Sequence, residues 1–236
     1  MTIVLERVSS RSFRLLIRQF FTAALNLILP PRCVGCGRVG SLLCALCHRE
    51  MRAAAPVRTE APPLRAIYSA AVFGGAWRQA IHALKYESQF AVAPVLAALL
   101  PLPGADGPEG VPLPDLILPV PLHANRQRWR GYNQSTLLAE ALGARLEVPV
   151  AADALARVRD TRAQVGLTAR ARRQNVSGAF VVRAPHRVSG RTILLVDDVV
   201  TTGATLAACA EALYQADAEA VWAVTLACAQ PAQPAA

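Results

Sequence analysis

A chain of 236 residues that is 53% hydrophobic is long and apolar enough to bury a substantial core. Its 25 basic and 16 acidic side chains leave a formal charge of +9, which favours polyanions such as phosphorylated metabolites or nucleic acid. No run reaches the ~18 apolar residues of a membrane span. Arg14 and Arg18 interrupt the apolar start, and no small-residue cleavage site follows it, which argues against a secretory leader and for a cytoplasmic protein.

In chain order, residues 1–31 are expected to form an amphipathic helix, stopped by Pro30 and Pro31. Residues 32–52 hold two Cys-x-x-Cys pairs, Cys33/Cys36 and Cys44/Cys47, separated by seven residues. Four thiolates in two tight knuckles can close tetrahedrally on one ion, so a structural zinc site is expected. Gly35 and Gly37 supply the positive φ that such knuckles use. The alternatives are two disulfides, disfavoured without a secretory signal, or a metal site lost in evolution, and His48 is a bystander. Cys209 and Cys228, in apolar segments, are expected to be core thiols.

Residues 53–63, rich in Ala and Pro, are expected to link this knuckle to a larger domain over 64–236. There the pattern predicts a strand at 66–73, helices at 77–86 and 90–100, and a Gly/Pro-rich loop at 101–114. A strand at 116–120, a helix at 133–146, strands at 155–158 and 179–183, and strands at 192–196 and 220–226 around a helix from Gly203 complete the series. Strands alternating with helices indicate an α/β fold with a parallel sheet flanked by helices.

The densest chemistry lies at 193–205. An apolar strand runs into Asp197 and Asp198, then Val199, Val200, Thr201, Thr202, Gly203, Ala204 and Thr205 lead into a helix. Small hydroxylated residues and a glycine before free helix N–H groups make an anion cradle. The carboxylates repel phosphate, so they face ribose hydroxyls, a divalent cation, or both. A phosphorylated sugar fits that combination; a Mg²⁺ site on some other α/β fold is the alternative. Neither a Walker A loop nor a dinucleotide fingerprint is present.

Three other segments are candidates. Arg126, Arg128 and Arg130, with the amides near Gly131, make a second anion site, suited to a pyrophosphate. The bland alternative is a solvated basic loop. Trp129 and Tyr132 speak against it, and with Arg128 and Arg130 they offer a surface on which bases could stack. Asn133 reads as a helix N-cap. Between Arg126 and Arg173 ten arginines face four acids, consistent with a mobile lid that brings Arg162 onto a departing pyrophosphate, or with a nucleic-acid track. Lys85 is the single lysine beside 24 arginines, which marks a place for a compact ammonium, or else an ordinary helix-end lysine.

The order Pro-Arg-Cys-x-x-Cys-Gly, Cys-x-x-Cys, Leu-Lys-Tyr, Pro-Val-Pro-Leu, Arg-Gly-Tyr-Asn-Gln, Thr-x-x-Gln-x-Gly-Leu, Arg-x-x-Asn-Val-x-Gly-Ala-Phe and Asp-Asp-x-x-Thr-Thr-Gly-Ala-Thr resembles the ComF family over residues 25–227. These are competence-associated, phosphoribosyltransferase-like proteins with an N-terminal zinc finger. The resemblance implies a type I phosphoribosyltransferase fold that holds phosphoribosyl pyrophosphate (PRPP) with Mg²⁺. It also implies a link to bacterial DNA uptake and, for some members, single-stranded DNA binding and partners in the uptake machinery. By the same resemblance Asp197 and Asp198 contact the ribose hydroxyls and act in catalysis with Arg162. Val200, Thr201, Thr202, Gly203, Ala204 and Thr205 hold the 5-phosphate, while Arg126, Arg130 and Lys85 complete the PRPP site. Purine-salvage relatives carry a carboxylate base where this chain has Thr201, whose hydroxyl does not serve as a base near neutral pH. A purine acceptor is therefore disfavoured, and a non-catalytic DNA-binding adaptor is the competing expectation.

Overall fold

Long apolar runs with no polar alternation are the mark of strands covered on both faces, and the central sheet is built from them. The computed structural model describes residues 30–101, 113–161 and 168–229. Strands β1 (Val57–Thr59), β2 (Ile67–Val72), β3 (Leu116–Pro119), β6 (Thr192–Val200) and β7 (Ala220–Cys228) form one sheet in the order β1-β2-β7-β6-β3. The last four are mutually parallel, and β1 runs antiparallel along the β2 edge.

Alternation along β6 divides the interior into two layers. Leu194 and Val196 face the side that holds the helices α1 (Ala45–Arg52), α2 (Gly75–Tyr86), α3 (Ala93–Ala97) and α5 (Gln134–Leu146). Ile193 and Leu195 face α7 (Ala204–Tyr214) and a small outer piece made of β4 (Leu155–Arg157), α6 (Ala169–Val176) and β5 (Phe180–Val182). Both faces of the sheet are thus sealed, and ligand access is left to the carboxyl ends of the strands.

The sequence pattern and the structure differ at five places. The residues 53–63 include β1, because Val57 and Thr59 turn inward while Arg58 stays in solvent, and the strand finds a free sheet edge on β2. The helix expected over 90–100 is a 3-10 turn (Phe90–Val92) followed by α3, since Pro94 is accepted only in the first turn of a helix. The basic loop after β3 contains α4 (Ala124–Arg130), which Gly131 ends in the left-handed conformation at φ 83°. β4 and β5 pair antiparallel outside the main sheet, and Leu155 and Phe180 pack into the α7 layer. Finally, β6 does not stop at Val196: its pairing with β7 continues through Asp197 to Val200, so the acidic pair is part of the strand. The expected N-terminal helix over 1–31 and the proposed lid residue Arg162 lie outside the described residues, apart from Pro30 and Pro31.

Candidate functional site and metal centre

β6 remains a strand through Asp197 and Asp198, which places both carboxylates at its carboxyl end. Asp198 is 3% exposed, and its Oδ1 lies 2.8 Å from the ammonium of Lys85 in the last turn of α2. Its Oδ2 is buried with no hydrogen-bond partner. Asp197 lines a small cleft together with Val200, Thr201, Gly203 and Thr205. Its Oδ1 accepts from the Ser135 hydroxyl at 2.8 Å and from the Asp198 N–H at 2.9 Å.

Burial, and then the neighbouring Asp198 charge, push the Asp197 carboxyl up to about 7, against the lowering influence of Ser135 and Lys85. Burial acts to lower the Lys85 ammonium, but the charge and hydrogen bond of Asp198 outweigh it and hold the lysine above its ordinary value. Lys85 is therefore not an ordinary exposed helix-end lysine; its ammonium is paired with Asp198. Ser135 is the residue the sequence reading passed over. Its place in the first turn of α5 acquires meaning only once β3, which leads to that helix, lies beside β6.

Beyond the strand, Gly203 takes φ 74° and caps α7 with no side-chain hydrogen bond to the helix N–H groups. A Cβ on Gly203 would meet Ala61 Cβ at 2.6 Å, so both backbone conformation and close packing demand glycine. The buried hydroxyl oxygen of Thr202 has no partner. A helix N-terminus capped by glycine beside an unsatisfied hydroxyl is chemically compatible with an anion, the role expected of Val200 to Thr205.

The second basic segment lies at the same sheet edge. Asn133 caps α5 by accepting from the Ser135 N–H at 3.1 Å, and its Nδ2 donates to Val120 O at the end of β3. Arg130 donates to Gln134 Oε1 at 2.5 Å and lies over the Tyr86 ring, 5.3 Å from its centroid. The Tyr132 hydroxyl donates to Leu84 O, and its ring meets Phe90 edge-on at 4.6 Å. Tyr132 is thus engaged within the protein, whereas Trp129 is 77% exposed. Arg128 donates to Asn125 Oδ1, and Asn125 in turn donates to Asp160. Arg126 is half-buried and close enough to Arg157 to help lower that guanidinium's affinity for its proton, after burial itself.

At the far end of α2 the four cysteine sulfurs of Cys33, Cys36, Cys44 and Cys47 lie within 4.8 Å of one another, and Cys36 and Cys44 are 3.7 Å apart. Zinc–sulfur bonds of about 2.3 Å place tetrahedral sulfurs ~3.8 Å apart, so the group fits one such ion. All four are free thiols, and His48 is outside the cluster. Burial works against ionisation of Cys33, but N–H groups of Cys44, Gly35 and Cys36 prevail and bring it down to about 6. Of the two glycines, Gly37 has the positive φ, 75°. Gly35 is needed for space: a Cβ there would lie 2.9 Å from Cys47 Sγ. Cys33, Cys47 and Met51 share one apolar cluster with Ala76, Trp77 and Ala80 of α2, so the knuckle is seated on the helix that carries Lys85. Cys209 and Cys228 are buried, as expected of core thiols.

Residues 133–236 match the phosphoribosyl transferase domain family. DNA utilization protein YhgH of Escherichia coli K12 is 38% identical over 162 residues, covering 68% of this chain and 70% of that protein. The chain belongs to the ComF family. Competence protein F of Haemophilus influenzae is 41% identical over 129 residues, 53% of this chain and 56% of that protein. Among solved structures, the Bacillus subtilis glutamine PRPP amidotransferase complexed with ADP and GMP aligns at 17% identity. The TM-score is 0.36, over 60% of this chain and 26% of that one. This ComF-family chain therefore combines a phosphoribosyltransferase-like α/β domain with a four-cysteine cluster able to hold a metal such as zinc. No helix among the described residues is long and apolar enough to cross a membrane.

Two outcomes are expected from this geometry. Purified protein should hold one zinc per chain, and so should His48→Ala. A Cys33→Ser/Cys47→Ser variant should lose the metal, with its thermal midpoint lowered by more than ~5 °C, as measured by metal analysis and calorimetry. The second concerns pH. The folded state binds the Asp197 proton more tightly than the unfolded chain, so this contribution to stability is fully present below about pH 4 and is lost as pH rises through about 7. Asp197→Asn should melt near the wild-type temperature at about pH 4 and at least ~3 °C above it at about pH 8.5, in ligand-free thermal scans.

Proposed function

We propose that this protein binds PRPP with Mg²⁺ and transfers its phosphoribosyl group to an acceptor, releasing pyrophosphate, in the handling of DNA taken up by bacteria. The observation that carries the reading is the uncapped N-terminus of α7, with the unpartnered Thr202 hydroxyl and the obligatory Gly203, set directly beyond a carboxylate pair. A 5-phosphate in that cradle would direct the ribose back along β6 towards Asp197 and Asp198, where hydroxyls can donate to carboxylate oxygens. Mg²⁺, which prefers phosphate and water oxygens to an all-protein cage, would arrive with the pyrophosphate and neutralise its charge.

In the transfer, the bond from C1 of the ribose to the pyrophosphate oxygen breaks and its electron pair leaves with pyrophosphate. C1, now electron-deficient, bonds to the acceptor on the opposite face. Arg126, Arg130 and Arg162 are the cations suited to receive the departing charge. Thr201 offers no general base, so the acceptor must be one that attacks without a carboxylate at that position. The role in DNA handling is supported by the names of the relatives in Escherichia coli and Haemophilus influenzae. The cytoplasm, where PRPP and Mg²⁺ are available, is the compartment this chemistry requires.

Calorimetric titration of PRPP with Mg²⁺ tests the binding step. Saturable binding is expected for wild type and its loss for Asp197→Asn/Asp198→Asn; no heat from a folded, zinc-loaded wild type overturns the reading.

A second reading, a single-stranded DNA adaptor in contact with the uptake machinery, is favoured by one observation: the Trp129 ring stands 77% exposed among Arg126, Arg128 and Arg130. Stacking of a base on an aromatic ring contributes ~1–3 kcal/mol. Trp129→Ala should therefore weaken oligo-dT binding by roughly fivefold or more with an unchanged salt slope, and Arg128→Ala should reduce the slope itself. Fluorescence anisotropy at several salt concentrations separates the two.

A further inference from the structure

The sequence leaves Asp197 and Asp198 equivalent, and it leaves Lys85 without a task. The structure distinguishes them. Asp198 is gripped through one oxygen by the Lys85 ammonium at 2.8 Å, while its second oxygen, Oδ2, is buried and unpartnered. A carboxylate oxygen left so in a folded protein is costly unless something donates to it, and the hydroxyl of a ligand seated at the carboxyl end of β6, beside the cleft that Asp197 lines, is a donor of the right kind. Lys85 itself is fixed from both sides. The hydroxyl of Tyr132 donates to the carbonyl of Leu84, one residue before it, and the guanidinium of Arg130 covers the ring of Tyr86, one residue after it. Below, α2 is anchored on the cysteine knuckle through Ala76, Trp77 and Ala80.

Each carboxylate therefore has one oxygen held by the protein: Asp197 Oδ1 by Ser135, and Asp198 Oδ1 by Lys85. Two carboxylates fixed in this way form a rigid two-pronged acceptor, matched to the adjacent hydroxyls of a ribose rather than to a lone phosphate or a deoxy sugar.

We propose that Lys85 is a positioning residue that sets sugar specificity: by fixing Asp198 it makes the acidic pair read a ribose diol, and it does not itself contact the phosphates. The inference rests on the sugar-phosphate reading of the cleft and adds to it which protein contact selects ribose. A tethered ammonium, not a guanidinium, suits the position because a single point contact leaves the other carboxylate oxygen without a partner, where a planar fork would tend to take both.

The test is competition calorimetry with ribose 5-phosphate, 2-deoxyribose 5-phosphate and inorganic phosphate on zinc-loaded full-length protein. Wild type is expected to prefer ribose 5-phosphate over the deoxy sugar by about tenfold or more, as for loss of a hydrogen bond to a charged acceptor. Lys85→Met should erase that preference and leave inorganic phosphate affinity unchanged. Lys85→Met/Asp198→Asn, which carries no stranded buried charge and should fold even if the single variant does not, should match Asp198→Asn alone because the two changes act through one contact. An equal loss for all three ligands in Lys85→Met would make Lys85 a phosphate ligand and overturn the proposal. So would a wild-type preference that survives in Lys85→Met, or a double variant weaker than Asp198→Asn. Wild type that binds both sugars equally also overturns it while leaving the phosphate cradle standing. Wild type that binds none of the three overturns the sugar-phosphate reading itself.

Discussion

Placing two adjacent carboxylates at the end of a buried central strand is the constraint around which the rest of this molecule is arranged. Two like charges side by side in a partly desolvated site repel, and neither is tolerated without a partner. Ser135 from the first turn of α5 and Lys85 from the last turn of α2 supply those partners from two different helices. The positions of both helices follow from that demand: α5 is tied to the end of β3 through Asn133, and α2 is seated on the cysteine knuckle.

The knuckle is consequently more than an appendage. Its Cys33, Cys47 and Met51 belong to the same apolar cluster as Leu194 and Val196 of β6. A metal holding the four sulfurs would stiffen the support under α2, at whose other end Lys85 meets Asp198. The small outer layer of β4, β5 and α6 plays the matching part on the opposite face, packing on α7 and so fixing the helix that follows the Thr201–Gly203 turn.

Glycine is used sparingly and for distinct reasons. Gly203 must combine a left-handed backbone with close approach to Ala61, so no other residue satisfies both demands. Gly35 gives space to the Cys47 sulfur, and Gly143 in α5 lets the helix approach Val148 and Val150, where a Cβ would lie 2.9 Å from a backbone oxygen. Close approach of this kind is invisible in a list of residues, because the neighbour that forbids a side chain is distant in sequence.

Much was legible in the sequence because it is local. The strand–loop–helix signature around Asp197 to Thr205, the two Cys-x-x-Cys pairs, the Asn133 cap and the alternation of strands and helices all depend on residues near each other along the chain, where spacing alone sets chemistry. What remained hidden depends on contacts between distant segments. β1 could not be read from an Ala/Pro-rich stretch because only a free edge on β2 makes three residues into a strand. The extension of β6 through the acidic pair needed the length of β7 beside it. The division of labour between Asp197 and Asp198, the partner of Lys85 and the part of Ser135 follow from which helix ends beside which carboxylate. Sequence fixes which groups are present and how neighbours along the chain are spaced; only the tertiary fold decides which charges are buried together, and burial is what makes a pair of carboxylates depend on a lysine more than a hundred residues away.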